Sequence, residues 1–146
     1  MRVREILFRA KRKDNGEWVE GYLFEFQPGQ YMICDKKEYD RPSTMPVLYF
    51  FKFCSYEIEI STLCQYTGLT DKKGQKIWEN DIVKCPKRKE EYELYRVVWR
   101  NDFADFGVEP VKPKFEAKYP IGLSEERTIY GRDYKIIGNV FDEGVI

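Results

Sequence analysis

The stretch that most constrains this chain is QYTGLTDKKGQKIWENDIVK, Gln65 to Lys84. Glycine, Asp and Asn break its apolar runs into pieces short enough for strands. Asp71 can cap a turn with its side chain, and Gly74 can take the left-handed backbone position that closes a hairpin bulge. A second bend falls at Glu79-Asn80-Asp81, because Asn tolerates positive φ better than most residues that carry a Cβ. Asp71, Gly74, Asn80 and Asp81 therefore read as structural turn residues at a tight corner between strands. Gly68, Gly74 and Gly131 lack the spacing, and the following helix, of a phosphate loop.

The same punctuation recurs along the chain. In REILFRAKRKDNGEWVEGYLFEF, two alternating runs flank KDNG, and Asn15-Gly16 suits positive φ at both central positions of a hairpin. Pro28-Gly29 marks the next turn, and QYMICD gives a third short strand. Two prolines with Ser-Thr make a loop of residues 41–46. The run VLYFFKFCSYEIEI is rich in aromatic and β-branched residues. It places Tyr56, Ile58 and Ile60 on one face and Glu57 and Glu59 on the other, which predicts a half-buried strand rather than a helix. YELYRVVWR also alternates, with Tyr95, Val97 and Trp99 on one face; a helix from Arg88 to Trp99 is the alternative. Proline spacing makes residues 102–133 irregular, with short edge strands. YKIIGNVFDEGVI closes the chain as a strand, with Gly138 allowing a kink.

Composition narrows the chemistry. The chain has 146 residues, of which 42% are hydrophobic and 16% aromatic, enough to fill a core. Its 25 basic and 25 acidic residues cancel, so no global field draws it to nucleic acid or to an anionic membrane. Histidine is absent, which removes the usual general base and the commonest metal ligand. Cys34, Cys54, Cys64 and Cys85 form no CxxC pair and sit among apolar neighbours, as buried small hydrophobes do. No apolar run is long enough for a membrane helix, and the first residues lack the apolar core of a signal peptide. The expectation is a soluble intracellular protein with reduced thiols, no cofactor and no metal.

The central stretch resembles the signature of the YopX-like family of phage and prophage proteins. Thr67, Gly68, Leu69, Asp71, Lys72, Gly74, Ile77, Trp78, Glu79, Asp81, Ile82 and Val83 carry it. ILFRAKRKDNGEWVEGYL is similar to the family's opening, with Phe8, Arg9 and Ala10. YKIIGNVFDE is similar to its closing strand, with Ile137, Gly138 and Asn139. Asn80 stands where the family usually has glycine, and Asn is the residue that best replaces glycine at positive φ. The resemblance implies a mainly β fold, a hairpin-rich sheet with a barrel-like, SH3-like portion and at most one or two short helices. It implies one domain over residues 1–146, divisible into hairpins (1–64) and a barrel-like part (65–146). It also implies a phage-type accessory protein, and it brings no assigned reaction.

Three function classes are open to such a chain. A carboxylate enzyme would use Asp102, Asp105 and Glu109, but such a cluster is more often a solvated loop. A single-stranded nucleic-acid binder would use the basic stretches FRAKRK and KCPKRK beside exposed aromatics. A non-enzymatic protein-binding or self-assembling module needs no chemistry that the sequence lacks and ranks first. Its expected contact residues are Trp18, Tyr66, Trp78, Lys84, Lys87, Arg88 and Lys89.

Overall fold

The computed structural model describes residues 4–84, 94–111, 121–122 and 134–144. The chain is mainly β and forms two compact units, Met1–Tyr66 and Thr67–Ile146, each with its own core.

In the first unit, β1 (Phe8–Lys11), β2 (Trp18–Gln27), β3 (Gln30–Asp35) and β4 (Ser55–Glu57) lie antiparallel in the order β4-β3-β2-β1. Alternation puts Ala10, Val19 and Ile33 inward, where they meet Ile58 and the half-buried Phe8, Leu23, Tyr31, Tyr56 and Leu63. The sheet curls back on itself at one end. Lys13 N–H donates to Glu57 O at 3.0 Å and Glu59 N–H to Lys11 O at 2.9 Å. Both turns hold their glycine at positive φ, Gly16 at 72° and Gly29 at 82°. The first is not the two-residue turn expected from Asn15-Gly16, because Asn15 stays at negative φ. Instead Gly16 N–H bonds Arg12 O, and Asn15 Oδ1 accepts from Glu17 N–H, making a longer loop.

A glycine inside β2 has a stricter reason. A Cβ on Gly21 would lie 1.8 Å from the carbonyl oxygen of Cys34, so only glycine lets β2 and β3 approach here.

The residues after β3 correct a sequence expectation. The chain forms one turn of helix, α1 (Lys36–Tyr39), capped by Asp35, whose carboxylate accepts from Glu38 N–H. A two-turn helix follows, α2 (Val47–Cys54), where a strand was expected. A continuous apolar run has no period with which to choose between the two. Tertiary contacts decide it: Phe50 and Cys54, spaced as one helix face, turn inward, and the partly exposed Phe51 lies against the sheet beside them. Phe51 meets Phe24 edge-on at 6.1 Å, and Tyr39 packs on Tyr22, Phe50 and Phe51. Strand resumes only at Ser55, and Ile60 begins a short 3-10 turn, Ile60–Thr62, instead of continuing the alternation.

β5 (Cys64–Thr70) carries the chain from the first unit into the second; Gln65 and Cys64 pair with Phe8 and Arg9 of β1. In the second unit, β6 (Lys76–Trp78) follows in a hairpin with the last residues of β5. β7 (Asp81–Lys84), β8 (Leu94–Arg100), β9 (Asp105–Pro110), β10 (Ile121–Gly122) and β11 (Lys135–Asn139) make a five-stranded antiparallel sheet, β10-β9-β8-β7-β11. Leu94–Arg100 is thus a strand and not the alternative helix. Tyr95, Val97, Phe106 and Val108 share a buried face with Ile77, Val83 and Tyr134. Gly138 sits at a bulge: Ile136 pairs with Val83 and Gly138 with Ile82, leaving Ile137 unpaired and partly exposed. The sheet ends at β10 and β11, and the described residues form no closed barrel.

Candidate functional site

The four expected turn residues lie in the second unit, and their polar groups bond mainly to backbone and in part to the side chains of Arg96 and Asn139. Asp71 is buried. Its Oδ1 accepts from Lys73 N–H at 2.8 Å and Gln75 N–H at 2.9 Å, and its Oδ2 accepts from Ile136 N–H at 3.2 Å. Gly74, at φ 80°, closes the loop by donating to Asp71 O. Asn80 has φ 66°, and its N–H donates to Val97 O. Asp81 is fully buried; Oδ2 accepts from Trp78 N–H at 2.8 Å and Oδ1 from Asn139 Nδ2 at 3.1 Å. Asn139 in turn accepts from Phe141 N–H and donates to Glu79 O. Each carboxylate is held by amides, an arrangement that fixes chain direction and leaves little capacity for a ligand.

The expected contact residues scatter. Tyr66 and Trp78 are 7% and 3% exposed, which removes them from any contact surface and makes them core. Trp18 is half-buried beneath two cations, with the Arg9 guanidinium 4.6 Å and the Lys11 ammonium 5.6 Å from its ring centre. Lys84 is exposed at the end of β7. Lys87, Arg88 and Lys89 lie outside the described residues.

Basic charge in FRAKRK is largely answered within the first unit. Arg12 forms a two-point ion pair with Asp14 and stacks on Tyr56 at 3.9 Å. Lys13 pairs with Glu57 at 3.1 Å. The pairing with Arg12 holds Asp14 below the usual carboxylate range, and Lys13 does the same to Glu57. The acidic cluster is dispersed too. Asp105 is clamped by the buried Arg100 through two bonds of 2.6 and 2.5 Å, and Glu109 stands opposite Arg96 in the β8–β9 ladder. Among the described residues, no three Cys, Asp or Glu side chains gather closely enough to hold a metal ion. None of their helices is long and apolar enough to cross a membrane.

What the sequence reading missed lies on α2. Leu48 is 85% exposed, Val47 68%, Phe53 64% and Tyr49 60%, and Phe26, Met45 and Tyr39 are exposed nearby in the chain or sheet. Beside the helix runs a groove of about 630 Å³ lined by Phe24, Phe26, Met32, Leu48 and Phe51, with Gln30, Lys52 and Ser55 as its polar groups. Monomeric proteins rarely leave contiguous apolar surface of this kind uncovered. The signal in the sequence was a run of eight residues with one charge, too apolar for a solvent-facing element. Next to the groove, burial pushes the thiols of Cys34 and Cys54 above their ordinary range, so they pack as inert hydrophobes.

No curated protein matches this chain. A model of the YopX protein family matches residues 7–145, which span both units and include all four turn residues, and the chain therefore belongs to the YopX protein family.

Proposed function

We propose that this is a non-enzymatic, phage-type accessory module of the bacterial cytoplasm that works by gripping another protein through the face of α2. One observation carries the reading: a two-turn helix held by its inner aromatics while Val47, Leu48, Tyr49 and Phe53 stand in solvent. Exposing these side chains opposes solubility, and a partner that covers them gains about 25 cal/mol per Å² of apolar area. Interfaces favour this composition, aromatic and low in charge at the centre. The nucleic-acid alternative is weaker, because Arg12 and Lys13 already have acidic partners. A photo-crosslinking amino acid in place of Tyr49, with exposed Lys73 as the control position, tests the reading inside the natural host. Discrete protein adducts from position 49 alone are expected. Equal labelling at both positions, or none, overturns the reading.

A further inference from the structure

The charge on the groove narrows what can fill it. Lys52 is the only ionisable side chain in the lining, and among the described residues it has no ion-pair partner. A partner that covers the apolar walls also takes this ammonium out of water. An unpaired buried charge is expensive, whereas a carboxylate brought by the partner compensates it. The volume, about 630 Å³, is more than one side chain fills, so it has room for several residues of a bound segment.

Two other occupants fit less well. A second copy laying its own α2 here would bring no acid, since residues 44–55 contain Lys52 as their single charge. A bilayer would meet the protruding Val47, Leu48 and Phe53 but would leave the concave slot unfilled.

We propose, resting on the reading above, that the groove takes an apolar peptide segment whose anchoring side chain is flanked by an Asp or Glu that pairs with Lys52. Gln30, whose amide nitrogen also donates to Glu57, is the polar side chain left to meet the peptide backbone. The anchor enters between Phe24, Met32 and Phe51, and the carboxylate sits above Lys52. The partner is thus an acidic–apolar linear motif in another protein.

Panning a random peptide library against the protein and against Lys52→Glu tests this. Lys52 is exposed on α2, so its replacement leaves the scaffold folded. The unmodified protein should enrich apolar peptides bearing Asp or Glu, and Lys52→Glu should enrich Lys or Arg instead. In fluorescence anisotropy, changing the enriched peptide's acid to its amide should weaken binding by about tenfold, and that loss should vanish in Lys52→Gln. Enriched peptides with no acidic preference, or a preference untouched at Lys52, overturn the motif but leave the gripping face standing. Adducts at position 49 without any enriched peptide do the same. Neither adducts nor peptides would sink both. Sedimentation showing self-association lost in Leu48→Glu would assign the groove to a second copy. Flotation with neutral or anionic vesicles, lost in Leu48→Glu, would assign it to a membrane.

Discussion

The two units treat opposite kinds of side chain against the usual rule. The first places large apolar groups in solvent, with Leu48, Val47 and Phe53 among its most exposed. The second places polar groups in its interior, where Asp81 and Asn139 are fully buried and bonded to each other. Buried polar groups that are fully satisfied specify a unique backbone path. Exposed apolar groups that are held in place specify a surface. Among the described residues, buried polar bonding is thus concentrated in the second unit and exposed apolar surface in the first. The residues that carry the family resemblance sit mainly in the second unit. The helix α2 lies in none of the three blocks that carry it.

The largest blow to the first unit should come from Gly21→Ala. A methyl group there meets the backbone of β3, so a loss of about 4–5 kcal/mol or failure to fold is expected in urea melts. Hydrogen exchange sharpens the comparison. Amides of β2 and β3 should lose protection before those of β8 and β9, and simultaneous loss in both would show that the units are not separate in stability.

Asp71→Ala is the matching test of the second unit. Three backbone N–H groups lose their acceptor, with an expected cost of about 2–4 kcal/mol. A cost below about 1 kcal/mol would mean that the buried carboxylate does not fix the corner.

Smaller in stability but larger in behaviour, Leu48→Glu with Phe53→Glu should change unfolding free energy by about 0.5 kcal/mol or less. It should also abolish binding of an apolar fluorescent dye and the adducts from position 49. A large destabilisation would instead make α2 part of the core.

The smallest effect concerns pH. Cys34 and Cys54 hold their protons more tightly in the folded first unit than in the unfolded chain. Their contribution is complete below the ordinary thiol range and is lost as pH rises from that range through their raised folded values. Urea melts from about pH 7 to about pH 10 should show that decline, and Cys34→Ala with Cys54→Ala should flatten it. Thiol reagents should modify both residues at the rate of opening.

Legibility followed the range of the interactions. Gly74 and Asn80 could be read directly, because positive φ is a local demand met by few residues. Asn15 misled for the same reason: its residue type suits positive φ, but a side-chain bond to Glu17 N–H offered another loop. Gly21 was invisible, since the carbonyl that requires it belongs to the neighbouring strand. Asp81 could be placed in a turn, but its partner Asn139 stands 58 residues away, and no spacing rule reaches that far. The helix α2 was hidden by its own apolarity, which let Tyr39 and Phe24 choose the conformation. The exposed apolar face was hidden with it, and the aromatics chosen from sequence, Tyr66 and Trp78, lie in the core.

The bond from Ile136 N–H to Asp71 has a consequence for synthesis on the ribosome. β7 lies between β8 and β11, so one of its edges stays unpaired until Lys135–Asn139 emerge. Lys72 N–H waits equally long for the carbonyl of Tyr134. The second unit is therefore a clasp that β11 shuts, and until Lys135–Asn139 have left the ribosome one edge of β7 stays open to pairing with a neighbour.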